Sequence, residues 1–392
     1  MIMSTMDITV PNRESLWPLG FMLSEDKLPA PRQDLLVGGR LWEELRFLLA
    51  ATLLLAATCL AAGDGGDVAT AAGVGCDAPQ RGKLEMTGDI GDYQPGVIDD
   101  PVHDPTLFAD GETFYVFSTG RLDPLDPGGI FARRSTCSLA GPWESLGSVP
   151  LPEWTRDYDV EHLWAPHVVD SNGTFHLYYA ASSFGTNRSA IGLATTTTPG
   201  DLQSWVDHGP IFTSQPGDDY NAIDPLVFSD GRDWYFVYGS FWTGIQLQPL
   251  PDDMRTPGEP RLSLASNPVD PPNAIENAQI FEHGDHWYLT VSWDLCCRGL
   301  ASTYRTAVGR SASPTGPFVD ADGVPMADGG GTIVLDRRGN QIGPGALDVL
   351  EHDDRLYAVH HYYDADAGGT IRMQIREVEW RDGWPYFSDD ES

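Results

Sequence analysis

Basic residues are scarce in this sequence: 24 Lys and Arg stand against 57 Asp and Glu, which gives a formal net charge of −33 over 392 residues. A surface this negative repels a phosphate backbone, so the composition argues against any nucleic-acid partner and favours solubility instead. Three motifs are also missing: a glycine-rich loop that cradles phosphate, a GxSxG nucleophile elbow and a dinucleotide fingerprint. Their absence leaves chemistry by paired carboxylates as the class to examine.

Long apolar runs are nearly absent, and the one at residues 47–62 is short for a membrane span. Arg46 precedes it, and a loose Gly-, Ala- and Asp-rich stretch follows, which is typical of a secretory signal peptide. We therefore expect a secreted protein whose translation begins near Val37. A lipid anchor at Cys59 is the minor alternative. The predicted organisation is an N-terminal extension with signal peptide at 1–62, a flexible leader at 63–95 and one catalytic domain at 96–392.

Cysteine is sparse too, with five residues in the chain. Removal of the signal peptide leaves four, and an even number permits disulfides in an exported protein. Their spacing does not suit a zinc site. Cys296 and Cys297 can bridge to each other or pair outward with Cys76 and Cys137, and the sequence does not choose between these pairings.

What the sequence does contain is a weak repeat in five copies, each anchored on two residues of an aromatic, β-branched strand pattern. The anchors are Phe114-Tyr115, Phe175-His176, Trp234-Tyr235, Trp287-Tyr288 and Leu356-Tyr357. One position precedes the second anchor residue by eleven residues, or twelve in the fourth copy, and we call it the pivot. The pivots are Asp104, Ala165, Asp224, Glu276 and Ala346.

Successive pivots are 61, 59, 52 and 70 residues apart, which is enough for about four short strands per copy. Asp-Gly and Asn-Gly pairs between the strands suit tight hairpins, and no long helical periodicity interrupts them. The pattern predicts an all-β fold, a five-bladed β-propeller, with a β-sandwich of similar hairpins as the alternative. In a propeller the pivots would converge on the central channel.

Three of the five pivots are acidic, namely Asp104, Asp224 and Glu276. Each lies beside Ile or Pro, where poor solvation raises the pKa of a carboxyl group and suits a general acid. A better solvated partner can remain ionised as a base, and this pairing is what hydrolysis of a glycosidic bond requires. The plain alternative is that an Asp before Pro merely begins a strand.

Nearby side chains offer contacts for a sugar. Trp164, Phe241 and Trp242 could stack on sugar rings, although a tryptophan is more often part of a core. Asn221 and Ser240 could donate hydrogen bonds to hydroxyl groups.

Across residues 97–386 the chain resembles family-43 glycoside hydrolases, and within them the endo-1,5-α-L-arabinanases. The resemblance is carried by VHDPTLFADGETFYVFSTG, LWAPH, SSFGTNRSAIGLAT, YNAIDP, YGSFWTGIQL, AIENAQI, CCRGLASTYRTAVGRS, GGGT, GPG, HHYYD and DGWP. It implies a five-bladed propeller that cleaves α-1,5-linked arabinan with inversion.

The resemblance also implies a role for each acid. Asp104 would be the general base, Glu276 the general acid, and Asp224 the auxiliary acid that raises the pKa of Glu276 and orients it. The implied substrate contacts are His103, Trp164, Gly185, Asn221, Ala222, Ile223, Ser240, Phe241 and Trp242.

Two positions depart from the family pattern. His167 stands where WAPD is common, a change we expect at the rim. Ala346 stands where many bacterial relatives carry a His that holds calcium in the channel, and alanine cannot ligate a metal. His360 or His361 could substitute, or a solvated ion could remain. We assign no metal ligand and expect no required cofactor.

The predicted function is thus hydrolysis of internal bonds in plant cell-wall arabinan or arabino-oligosaccharides by a monomeric secreted enzyme. One alternative is an exo-acting α-L-arabinofuranosidase or β-xylosidase on the same fold. A remote alternative is a secreted sugar-binding propeller without catalysis, which would be indifferent to loss of Glu276.

Overall fold

The computed structural model describes residues 81–91, 101–120, 128–269 and 273–388. The chain divides into two compact units, residues 1–69 and 70–392, and every described residue belongs to the second. The predicted signal peptide, Val37, Cys59 and Cys76 lie outside the described residues, so the boundary at 62 stays a prediction. Within the described part of the chain, no helix is both long and apolar enough to cross a membrane.

The second unit is the predicted five-bladed β-propeller, built from successive antiparallel sheets. Four blades have four strands each, the fifth has three, and a two-stranded sheet follows it. The strands of the first two blades are β1 (Thr106–Asp110), β2 (Thr113–Ser118), β3 (Phe131–Ser135), β4 (Glu144–Ser148), β5 (Trp164–Ser171), β6 (Thr174–Ala181), β7 (Ser189–Thr196) and β8 (Val206–Ser214).

The third and fourth blades consist of β9 (Leu226–Ser229), β10 (Trp234–Tyr238), β11 (Ile245–Leu250), β12 (Leu262–Ala265), β13 (Ile275–His283), β14 (His286–Trp293), β15 (Arg305–Ser311) and β16 (Thr332–Leu335). The fifth blade and the small sheet consist of β17 (Gln341–His352), β18 (Arg355–Asp364), β19 (Thr370–Glu377), β20 (Glu379–Arg381) and β21 (Trp384–Tyr386). Short 3₁₀ turns occupy Glu153–Tyr158, Gly299–Ala301, Met326–Asp328 and Ala365–Ala367.

Tight hairpins join the first two strands of the blades, as the Asn-Gly and Asp-Gly pairs predict. Between β5 and β6 the turn is Asn172-Gly173, and both residues have positive φ, 55° and 80°. Two consecutive positive φ angles define the hairpin turn whose twist matches a β-sheet, and Asn and Gly adopt them most readily.

Five hydrophobic clusters form the core, one between each pair of neighbouring blades. The second strand of every blade contributes side chains to the two clusters on either side of that blade, because consecutive side chains of a strand point to opposite faces of the sheet. The pairs of adjacent residues that divide in this way are Val116 and Phe117, Leu177 and Tyr178, Phe236 and Val237, Tyr288 and Leu289, and Ala358 and Val359. The aromatic strand pattern of the sequence is therefore the inter-blade core.

Residues 82–90 close the ring, although the composition predicts a flexible leader there. The Leu84 amide donates to Ile375 in β19 at 3.1 Å, and the Ile90 carbonyl accepts from Met373 at 3.0 Å. The same segment bonds to the first blade through Thr87, whose amide donates to the Ala140 carbonyl at 2.8 Å. Leu84 is buried between the first and fifth blades. This segment supplies the outer edge that the three-stranded blade lacks.

Cys296 and Cys297 form a disulfide with each other in the segment after β14. This decides between the two pairings that the sequence left open. Cys137 is disulfide-bonded as well.

Candidate active site

The pivots share a left-handed backbone conformation, with one offset that the sequence did not reveal. Positive φ angles of 40–56° occur at Asp104, Ala165, Asp224, Asn277 and Ala346. Asn277, not Glu276, lies eleven residues before Tyr288, so the prediction that three acids share one backbone position was wrong for Glu276. The spacing of twelve in the fourth copy was the signal of this offset. L-residues other than Asn and Asp rarely adopt this conformation, which places a sharp bend at the start of each blade.

The first acid, Asp104, accepts two hydrogen bonds on Oδ2. His103 Nδ1 lies 2.8 Å away and the Thr119 hydroxyl donates at 2.8 Å. The Thr119 oxygen in turn accepts from the amide of Ala165 at 3.0 Å, which fixes its orientation. Burial alone would raise the pKa of Asp104, but attraction to His103 and these hydrogen bonds outweigh it and lower the pKa to about 2. Asp104 is therefore ionised at neutral pH.

His103 is held on three sides. Its Nε2 lies 3.0 Å from the Tyr363 hydroxyl, and its ring stacks on His361 with centroids 4.0 Å apart. Burial lowers the pKa of His103, yet Asp104 and Tyr363 together raise it to about 10. His361 accepts from the Asp104 amide at 3.2 Å, and burial followed by repulsion from His103 holds the pKa of His361 well below its usual value. A charged imidazole thus lies against a neutral one.

The third acid, Glu276, accepts one hydrogen bond on each carboxyl oxygen. Ser240 donates to Oε2 at 2.6 Å and Tyr304 to Oε1 at 2.5 Å. Burial raises the pKa of Glu276; the two hydroxyl groups oppose this shift and the charge of Asp104 adds to it. The environments of Asp104 and Glu276 therefore move their pKa values in opposite directions.

The carboxyl group of Asp224 is affected by the charges of both Asp104 and Glu276. Its Oδ2 accepts from the amide of Asn277 at 3.1 Å. Burial, and then repulsion from Glu276 and Asp104, raise the pKa of Asp224 well above its usual value. Two neighbouring carboxyl groups that repel each other hold a proton more firmly than either would alone.

A small cavity of about 20 Å³ occupies the channel at the level of the pivots. It is large enough for about one water molecule. Its lining includes Asp104, Asp224, Asn277, Gln279, Asp348 and His167. His167 was expected at the rim, and this expectation was wrong, because His167 lies in β5 two residues after Ala165 and lines the cavity. Its Nε2 bonds to the Val227 carbonyl at 2.9 Å, which fixes the ring in the channel.

Neither Ala346 nor Asp348 of β17 offers a free side-chain ligand for a calcium ion. Ala346 offers no side-chain ligand, and its amide donates to Ser292 at 2.8 Å. The Asp348 carboxylate already accepts four hydrogen bonds, from Thr106, Leu107, Gln279 and Val349. Calcium requires six to eight oxygen ligands. Neither His360 nor His361, the suggested substitutes, is among the described residues that line the cavity.

The predicted sugar contacts divide into two groups. His103 and Ser240 touch the acids directly, as described above. Trp164 is half-buried, and Gly185 has open space around its α-carbon. Phe241 and Trp242 are half-buried in a bend with positive φ at both residues.

The remaining predicted contacts, Asn221, Ala222 and Ile223, are buried in the protein. Asn221 is buried, and its Oδ1 accepts from the Ser189 hydroxyl at 2.7 Å. Ala222 belongs to the core between the second and third blades. Ile223 is buried, and its carbonyl accepts from the amide of Gly239 at 3.0 Å. Their side chains support the bend that carries Asp224.

Several residues of the site escaped the sequence reasoning. Thr119, Tyr304 and Tyr363 contact the acids or His103 and lie within motifs that carry the resemblance, but no role was assigned to them. His361, considered above only as a metal ligand, accepts from the Asp104 amide. Phe184 is 76% exposed and lies 5.0 Å from the ring of Trp164. An exposed aromatic ring beside a second one is a surface on which a sugar ring can stack. The Phe-Gly pair in a loop was its signal.

Comparisons with known proteins agree with this geometry. The family model described as "Glycosyl hydrolases family 43" matches residues 93–385. An extracellular endo-α-(1→5)-L-arabinanase of Bacillus subtilis (strain 168) is 37% identical over 300 residues, which cover 74% of this chain and 89% of that protein. Two solved structures are similar over their whole length. A GH43 endo-arabinanase from Bacillus licheniformis has 36% identity and a TM-score of 0.68, covering 78% of this chain and 100% of that one. An exo-1,5-α-L-arabinanase from a bovine ruminal metagenomic library has 34% identity and a TM-score of 0.68, covering 76% and 100%.

Proposed function

The chain belongs to glycosyl hydrolase family 43, and we propose that it hydrolyses internal α-1,5-L-arabinofuranosidic bonds of arabinan with inversion. The family makes it a glycosidase. The choice of arabinan as the substrate rests on the relatives named as arabinanases, and the mechanism rests on the three acids.

The observation that supports the mechanism best is the opposite direction of two pKa shifts. The pKa of Asp104 is lowered to about 2, whereas that of Glu276 is raised. Two carboxyl groups whose environments separate their pKa values are suited to act as base and acid at the same pH. We assign Asp104 as the general base and Glu276 as the general acid.

The reaction then proceeds in one displacement. Asp104 takes a proton from a water molecule, and the water oxygen attacks the anomeric carbon of the arabinofuranosyl unit. The bond from that carbon to the leaving oxygen breaks, and Glu276 gives its proton to this oxygen. The next turnover begins after the proton on Asp104 returns to Glu276 through solvent. Attack opposite the leaving group inverts the anomeric configuration.

Asp224 acts on the acid and not on the substrate in this mechanism. The amide of Asn277 donates to Asp224, and Asn277 directly follows Glu276 in the chain, so the backbone links the two acids. The charge of Glu276 raises the pKa of Asp224. Repulsion between the two carboxyl groups keeps a proton on the pair, and the mechanism requires this proton on Glu276, with Asp224 as its ionised partner.

Replacement of either Asp104 or Glu276 by Ala tests the assignment. Each variant should lose at least about a hundredfold of the activity on linear arabinan, since general acid or base catalysis typically contributes 10²–10⁴-fold. Reducing-sugar release measures activity, and NMR of the first product measures the anomeric configuration. Retained activity in a folded variant, or a first product of retained configuration, would contradict the mechanism.

An exo-acting enzyme is the second candidate, because one of the similar structures is an exo-1,5-α-L-arabinanase. Debranched arabinan separates the two modes. Endo action releases mixed oligosaccharides early in the reaction, whereas exo action releases one small product throughout. We expect the mixture, since the relatives named as endo-acting share slightly more identity with this chain.

We also propose that the protein is secreted and acts as a monomer on arabinan outside the cell. The apolar run at 47–62 and the extracellular relative of B. subtilis support export. Mass spectrometry of the protein from culture medium gives its N-terminus, and a chain that still begins before residue 47 would refute cleavage there. A lipid anchor at Cys59 would add the mass of acyl chains.

A further inference from the structure

Tyr304 is a fully buried side chain that reaches into the site without having any role in the mechanism above. Its hydroxyl donates to Oε1 of Glu276 at 2.5 Å, while Ser240 donates to the other oxygen. We propose that Tyr304 is a positioning residue for the general acid, holding Oε1 as an acceptor so that the catalytic proton resides on Oε2. This inference rests on the proposed function, because it presumes that Glu276 is the acid.

The Gly-Pro-Gly motif at 343–345 packs against Tyr304. A β-carbon on Gly345 would lie 2.5 Å from Cδ1 of Tyr304, closer than atoms of real side chains approach. A β-carbon on Gly343 would lie 3.5 Å from the Tyr304 β-carbon and 2.9 Å from that of Ser302. A side chain at Gly345 would therefore displace the ring, whereas one at Gly343 would collide with Ser302, two residues before Tyr304. This gives the motif a function that does not involve a metal.

The Tyr304 ring also contacts the residues around the base. Tyr304 stacks on His361 with centroids 5.8 Å apart, and His361 stacks on His103, the partner of Asp104. The ring is thus packed against both the backbone of β17 and the imidazole pair. A phenol O–H prefers the plane of its ring, so a fixed ring restricts where the Tyr304 hydroxyl can donate, whereas the hydroxyl hydrogen of a serine such as Ser240 rotates to suit its partner.

These constraints decide where the proton lies. A protonated carboxyl group has one oxygen that carries hydrogen and one that only accepts. Because Tyr304 remains a donor to Oε1, the hydrogen lies on Oε2, and the Ser240 hydroxyl turns to accept it until the leaving oxygen takes its place. Loss of Tyr304 would allow the proton on either oxygen and so reduce the productive fraction.

The test compares two leaving groups in Tyr304→Phe, which keeps the ring and removes the hydroxyl. The leaving group of linear arabinan is a sugar alkoxide, which needs protonation by the acid. The leaving group of a p-nitrophenyl arabino-oligosaccharide is a stable phenolate, which needs little protonation. We expect kcat on arabinan to fall about tenfold, equivalent to the loss of one hydrogen bond, and kcat on the aryl substrate to fall less than about threefold. The Tyr304 hydrogen bond lowers the pKa of Glu276, so its loss should raise this pKa. The alkaline limb of the pH profile on arabinan should therefore move to higher pH.

Tyr238→Phe is the matched control, because its hydroxyl is equally buried but bonds to Gln248 at 3.0 Å away from the acids. It should affect both substrates alike. Equal losses on both substrates in Tyr304→Phe, or no loss at all, would overturn the proposal. Gly345→Ala offers a second route if Tyr304→Phe folds poorly, and it should show the same preference for the aryl substrate. Failure of the proposed function is recognised separately: Glu276→Ala would then lose activity equally on both substrates.

Discussion

Replacing His103 by Asn isolates the charge that keeps Asp104 ionised. Asn retains a side-chain N–H that can reach Oδ2 of Asp104, so the substitution removes mainly the positive charge 2.8 Å from the carboxylate. That charge is the principal cause that lowers the pKa of Asp104 from 3.8 to about 2, against a burial that raises it. Without it the pKa should return to 3.8 or higher, a rise of about 1.8 (3.8 − 2) or more. At 1.36 kcal/mol per pKa unit this corresponds to about 2.4 kcal/mol.

The assay is the pH profile of kcat/KM on linear arabinan. A base with a pKa of about 2 is about 90% ionised at pH 3, and one with a pKa of 3.8 is about 14% ionised, so the variant should lose about sixfold or more at pH 3 from ionisation alone. The acid limb should move to higher pH by more than one unit relative to the plateau of the same variant. His283→Asn, at the exposed end of β13, is the control with the same chemical change. An acid limb that stays in place would refute the account of Asp104.

The same pair makes a prediction about stability with a definite sign. The lowered pKa of Asp104 contributes stability that is present above its unfolded value of 3.8 and is lost as pH falls through about 2. The raised pKa of His103 contributes stability that is present below 6.5 and is lost as pH rises through about 10. His103→Asn should therefore destabilise the protein most between pH 4 and 6.5. Urea unfolding at pH 5.5 and pH 10.5 measures this, and an equal difference at both would contradict it.

Three further predictions concern the acid, the ring closure and the channel. Asp224→Asn should move the alkaline limb on arabinan to lower pH, opposite to Tyr304→Phe, because the loss of repulsion lowers the pKa of Glu276; a shift to higher pH would reject this. Leu84→Ala should lower the free energy of urea unfolding by about 2–4 kcal/mol, whereas Leu300→Ala, 43% exposed, should change it by less than about 0.5 kcal/mol; equal effects would reject the closure by residues 82–90. Dialysis against EDTA should leave the melting temperature within about 2 °C, since 1 kcal/mol corresponds to about 2–4 °C in a chain of this size, and a larger fall would reveal a structural metal.

Much of the fold could be predicted because its signal is local and repeated. Aromatic strands such as the one around Phe117 alternate between two inter-blade cores, and turns such as Asn172-Gly173 join them. These features depend on a period of two and on backbone preferences, which a sequence displays directly. Ring closure by residues 82–90 could not be predicted, because its partner β19 lies about 290 residues away and the segment has a composition typical of a leader.

The sequence by itself indicated which carboxyl groups are neighbours: Asp104 and Asp224 occupy the pivot of the repeat, Glu276 precedes the pivot of the fourth copy by one residue, and a radial repeat brings equivalent positions together. Only the tertiary structure decided how these groups differ. The one-residue offset of Glu276, the imidazole pair beside Asp104 and the hydroxyl groups on Glu276 come from separate blades. A pKa depends on burial and on charges within a few ångströms, and such distances between remote segments exist only once the ring has closed.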